Sequence, residues 1–127
     1  MKLTRHITRD YLKANPWHIF VFGDNLFRRG FGGAAALRDM PNTYGFITKM
    51  APNNDDSSFY RPKDYKPIFH HEIRALRTAI RAMPNMRFLI SPIGSGLANK
   101  YHIWEHVILP GLELIAIDKN VEFLFEI

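Results

Sequence analysis

The chain has 127 residues, 46% of them apolar, no cysteine, and 17 Lys and Arg against 12 Asp and Glu. This fits one domain spanning 1–127 with a real core, and it excludes disulfides and thiolate chemistry. No apolar run approaches the length of a membrane span, and the opening MKLTRHITRD lacks the apolar segment of a signal peptide, so a cytoplasmic protein with no membrane partner is expected. The charge is uneven. Residues 1–87 hold fifteen Lys and Arg against seven Asp and Glu, a net +8, whereas residues 88–127 hold two against five, a net −3. A field of this sign attracts anions, with a diphosphate metabolite and nucleic acid as the two candidates.

In chain order, Thr8–Ala14 reads as a short helix with Thr8 as N-cap and Asn15-Pro16 as its stop. The run 18–22 (HIFVF) reads as a buried strand, 23–32 as a loop and 33–39 as a short Ala-rich helix ended by Met40-Pro41. A second strand is expected at 44–48 (YGFIT), followed by a polar, Pro-punctuated loop over 51–66. The spacing of Ile73, Leu76, Ile80 and Met83 predicts a helix over 68–83, with Arg74, Arg77 and Arg81 as a solvated basic stripe beside the apolar face. Strands at 87–91 and 121–125 flank a helix over 101–109 that Pro110 interrupts. Strands alternating with helices predict an α/β fold whose strands near 18–22, 44–48, 87–91 and 121–125 share one mostly parallel sheet.

Two strand–Gly-rich loop–helix units carry the chemistry. Residues 20–39 (FVFGDNLFRRGFGGAAALRD) form one and 88–105 (FLISPIGSGLANKYHIWE) the other. Glycines let a backbone approach a phosphate, and unpaired N–H groups at a helix start favour an anion there. Two such loops suggest a ligand with two phosphates, held at the C-terminal ends of strands. In the first, Gly23, Asp24 and Asn25 can bond a ribose or base, or can simply form a turn. Neither a P-loop nor the dinucleotide fingerprint is present, because Gly33 is followed by alanines. In the second, Ser95 and the N–H groups of 94–97 can form an anion nest. Lys49 follows the strand YGFIT at the same end, where it can contact phosphate, act as a nucleophile, or be an ordinary exposed lysine. His102 and His106 are four apart, but no Glu directly follows His102 and no metal site is expected.

The pattern FLISPIGSGLANKYHIWEHVILPGLELI followed by VEFLF resembles the end of a macro domain, the ADP-ribose-binding module. Ile47-Thr48-Lys49 is similar to the strand that carries the catalytic lysine in the terminal ADP-ribose protein glycohydrolase branch. The segment 20–49 also looks like small phage and bacterial proteins assigned to macro-like folds. The resemblance implies a three-layer α/β/α macro-domain-like fold with a mostly parallel or mixed central sheet. It implies recognition of ADP-ribose, an NAD-derived nucleotide, with hydrolysis of an ADP-ribosyl linkage on protein or nucleic acid and no cofactor. Lys49 would attack or position the anomeric carbon, with Asp24 as base or orienter. The ligand would lie against Gly23, Asn25, Arg29, Gly30, Gly32, Gly33 and Ala34 on one side. On the other it would meet Ile93, Gly94, Ser95, Gly96, Leu97 and Asn99. Ala98 and Asn99 stand where that branch carries a resolving aspartate. This departure favours a non-catalytic binding module or sponge, while Lys49 favours the enzyme. A nucleic-acid-binding protein is the third alternative and rests on charge alone.

Overall fold

The structure is a computed structural model and describes residues 1–126. Its centre is a four-stranded parallel sheet of β2 (His18–Asn25), β3 (Thr43–Lys49), β4 (Arg87–Ile90) and β5 (Val121–Phe123), in the order β3-β2-β4-β5. All four expected strands share this sheet. Alternate side chains feed two apolar clusters. Ile19 and Val21 of β2, with Phe88 and Ile90 of β4, join the cluster that α2 (Pro62–Ala82) covers through Tyr65, Phe69, Ile73, Leu76 and Ile80. Leu89, with Phe20 packed against it, joins a smaller cluster with Ile7, Leu12 of α1 (Arg9–Ala14) and Met40. This period-two split requires cover on both faces of the sheet.

α1 starts as its sequence predicts, the Thr8 hydroxyl accepting from Tyr11 N at 3.1 Å. Its far end is held by Asn42, whose side-chain amide donates to the carbonyls of Leu12, Asn15 and His18. α2 begins six residues before the expected 68, with Pro62 in its first turn, where a missing N–H costs nothing.

Three expectations are corrected. The Ala-rich segment is not a helix over 33–39 but a single 3₁₀ turn, Gly33–Ala35, followed by turns that Arg38 anchors. Residues 101–109 do not form one α-helix. A 3₁₀ segment (Leu97–Tyr101) ends at His102 in the left-handed region (φ 65°), a π-helical turn (Trp104–Ile108) follows, and α3 (Leu109–Gly111) and α4 (Glu113–Ala116) continue past Pro110. The last strand is split: β5 ends at Phe123, and β6 (Phe125–Glu126) pairs antiparallel with β1 (Lys2–Leu3), a strand too short for period-based reading.

The free edge of β3 is closed by side chains. Ile47 N donates to the buried Glu72 carboxylate at 2.7 Å, and Tyr65 Oη donates to Ile47 O at 2.6 Å. A single antiparallel bridge between Lys49 and Phe59, with Met50 N donating to Ser58 O at 2.9 Å, seals the end of the strand. An edge covered in this way offers no template for pairing with another chain.

Candidate functional site

β2 is first in the sheet and central in it. The chain leaves it for β3 on one side and later returns to β4 on the other. The loops after β2 and β4 therefore diverge, and the crevice between them lies at a topological switch point beyond the strand ends, where open parallel sheets place ligands. A cleft of about 600 Å³ occupies this place. Its walls are the two Gly-rich loops. Of the residues that the sequence singles out, Gly23, Asp24, Asn25, Arg29, Gly30, Gly32, Gly33, Ala34, Lys49 and the run Ile93–Leu97 all line it. Asn99 does not. Its amide donates to Glu105 at 2.8 and 3.1 Å and its oxygen accepts from Trp104 N at 2.9 Å, so it caps the following turn.

The first loop is built on Asn25 and Asp24. Asn25 Oδ1 accepts from Phe27 N at 3.0 Å and its Nδ2 donates to Arg29 O at 2.8 Å, an Asx turn closed on both sides. Arg28 and Gly30 take positive φ (52° and 94°) within it. Asp24 is almost wholly buried and fully engaged. Arg38 reaches its two oxygens at 2.5 and 3.0 Å, Arg28 Nη1 lies at 3.2 Å, and Asn25 N donates at 2.8 Å. The same Arg38 donates to the carbonyls of Gly30 and Arg29 at 2.7 and 3.1 Å. One buried ion pair thus fixes both the end of β2 and the shape of the glycine loop. Gly45 makes room for it, since a Cβ there would collide with the Asp24 carboxylate.

The second loop is tight. Ile93 N donates to Ser91 O at 2.7 Å, and Ser95 donates to Pro92 O through both its N–H (3.1 Å) and its hydroxyl (2.7 Å). Gly94 holds φ at 80°, and a Cβ on it would strike Ile108. A Cβ on Gly23 would lie 3.6 Å from Gly94 N, so the two loops meet backbone to backbone at the floor of the cleft. Gly32 and Gly96 face open space, where an added Cβ meets nothing within 4 Å.

Lys49 pairs with Asn25 across a register shift at the end of β2. Its ammonium donates to Asn53 O at 2.7 Å and lies 4.9 Å from the centre of the Phe59 ring. Partial burial holds it below its ordinary pKa. Beside it, Asp56 accepts from Lys100 at 2.6 Å and from the Tyr101 hydroxyl, while Arg61 stacks 4.2 Å from the Tyr101 ring centre. The loop after β3 is thereby tied to the segment after the second glycine loop. The Lys100 ammonium beside it holds the Asp56 carboxyl below the usual carboxylate range.

Sequence reasoning missed Arg38, the residue that organises the first loop. No periodicity links it to Asp24, and an arginine behind an alanine run reads as helix surface. It also missed Arg5, His6 and Ile7, which bring the N-terminal segment to the cleft. Among the described residues no group of three or more His, Asp or Glu is placed to hold a metal ion. Among these residues no helix is long and apolar enough to cross a membrane.

The architecture is thus that of a mixed α/β protein with a parallel four-stranded sheet and a glycine-walled cleft at its switch point. The chain belongs to a family of unknown function, DUF7831, which matches residues 2–101 and so takes in both cleft loops and Lys49. No curated protein and no solved structure matches it.

Proposed function

We propose that the cleft binds ADP-ribose or a closely related diphosphate nucleotide, in a three-layer, macro-domain-like α/β/α arrangement. The observation that carries this reading is the meeting of two glycine loops at the switch point of a parallel sheet, around one cleft. Backbone N–H groups in such loops are donors that suit phosphate oxygens. Charge favours the same ligand. Arg29 and Lys49 line the cleft, and the carboxylate in its wall, Asp24, is neutralised by two arginines. A volume of about 600 Å³ lies within the ordinary range of nucleotide-sized sites.

In this reading the protein hydrolyses an ADP-ribosyl linkage, with Lys49 at the anomeric carbon. A lysine with a lowered pKa has more of the neutral amine that attack requires. Asp24 acts as orienter rather than base, because its oxygens are already taken by Arg38 and Arg28. That engagement is also the observation favouring a second reading, a binding module without turnover. Turnover on ADP-ribosylated protein, nucleic acid or small esters separates the two. The hydrolase reading expects Lys49→Ala to lose turnover by a large factor while keeping most of its ADP-ribose affinity, since a nucleophile contributes mainly in the transition state. Tight ADP-ribose binding by a wild type with no turnover on any of these leaves the binding module.

A further inference from the structure

We infer that the outer face of α2 binds the phosphate backbone of duplex nucleic acid. Lys63, Lys66, His70, Arg74, Arg77 and Arg81 succeed one another at intervals of three or four residues along this helix. At 3.6 residues per turn the six side chains fall within an arc of about 80° and span about 27 Å. The three arginines taken alone read as a solvated face, but the stripe has twice as many members and runs nearly the length of the helix.

Its counter-ions are missing. Only Arg81 has an acidic partner among the described residues, Asp118 at 3.4 Å. The helix has two acids of its own. Asp64 lies off the stripe, about 100° round from Lys63, and Glu72 is buried and holds Ile47 N. Arg77 is half-buried, and its Nε has no hydrogen-bond partner. Four cations, at 63, 66, 74 and 77, are left unneutralised along one line. A surface face that served only solubility would interleave both signs.

The shape selects the partner. A straight row of about 27 Å covers about eight base-pair steps at 3.4 Å of duplex axis, long enough to reach from one strand's phosphates across a groove to the other's. A membrane surface fits less well: helices that settle on lipid carry large apolar side chains beside the basic ones. Among the described residues the exposed large apolar side chains all lie outside α2. A single stripe meeting phosphates carries no base-edge readout, so the binding is independent of sequence.

The test is fluorescence anisotropy with a labelled DNA duplex of about 20 base pairs, titrated from about 50 to about 200 mM KCl. Four phosphate contacts predict a log–log salt slope of about −3.6 and a loss of affinity of about a hundredfold over that range. In Lys66→Gln/Arg74→Gln, both exposed and both replaced by a good helix former, the slope becomes shallower by about 2. Lys13→Gln, an exposed charge on α1, which packs on the other face of the sheet, leaves the slope as in wild type. Circular dichroism melts establish that each variant is folded. The inference is overturned by no binding at the lowest salt with protein up to about 100 μM, the weak end of non-specific affinity. It is overturned equally by an unchanged slope in the double variant, or by binding to phosphatidylserine vesicles without binding to the duplex. The assay contains no ADP-ribose, so neither result bears on the nucleotide reading of the cleft.

Discussion

Replacing Arg38 by alanine removes the guanidinium that holds Asp24 and two loop carbonyls at once. The Asp24 side chain is 2% exposed and that of Arg38 15%, so the pair is shielded from water. Removing one partner of a buried pair costs about 3–5 kcal/mol, because the other charge is left without compensation. Arg28 remains 3.2 Å from Asp24 Oδ2, but its side chain is 54% exposed and it replaces only part of what is lost. We therefore expect a loss of about 3 kcal/mol, which for a domain of this size lowers Tm by roughly 10 °C. Equilibrium urea unfolding measures it, with Asp24→Asn/Arg38→Met as the companion variant. The companion removes both charges together and should lose clearly less than Arg38→Ala. A loss below about 1 kcal/mol in Arg38→Ala, the range of an exposed pair, would refute the claim that this ion pair organises the loop.

Two further predictions concern the second loop and the solvated end of the sheet. Gly94→Ala combines a positive φ with a collision at Ile108 and a close approach of 3.3 Å to Thr48 Cγ2, and should cost about 2–4 kcal/mol; Gly32→Ala, with open space and ordinary φ, should be neutral in the same urea titration. Burial, with the Arg5 and Arg87 guanidiniums nearby, holds the His18 imidazole below its ordinary value of 6.5. The unfolded chain then takes up the proton first, so stability declines as pH falls from about 6.5 towards the folded pKa and levels off below it. Melting curves between about pH 8 and about pH 5 should fall more steeply for wild type than for His18→Asn, which keeps an acceptor for the Tyr11 hydroxyl; parallel curves would remove His18 as the source.

Much of the architecture was legible because it rests on local pattern. Apolar runs gave the four strands, and Ile73, Leu76 and Ile80 gave the long helix its buried face. Thr8 marked the start of the first helix. What escaped depends on contacts distant in sequence. Pro52 and Pro62 read as loop punctuation, yet the second sits in the opening turn of α2, so the helix began earlier than its periodicity showed. Ala34–Ala36 have high helix propensity, but the segment is too short to propagate a helix and is held in turns by Arg38. The split of the last strand depends on the N-terminal residues Lys2 and Leu3, more than a hundred residues away. The cleft loops were legible from their glycines. The partner that fixes the first of them, fourteen residues from Asp24, was not. Asn99 looked like part of a ligand loop because it follows the glycines closely, but its side chain caps the turn at Trp104 instead.

The most direct test of the cleft is titration calorimetry with ADP-ribose, comparing wild type with Gly96→Glu. Gly96 lines the cleft, and a side chain there meets nothing within 4 Å of its Cβ, so glutamate can enter the space and set a carboxylate against the diphosphate. The account predicts saturable one-site binding by wild type and none by the variant, with urea midpoints that stay close. ADP-ribose binding with unchanged affinity in Gly96→Glu, or no heat of binding in wild type, would contradict it.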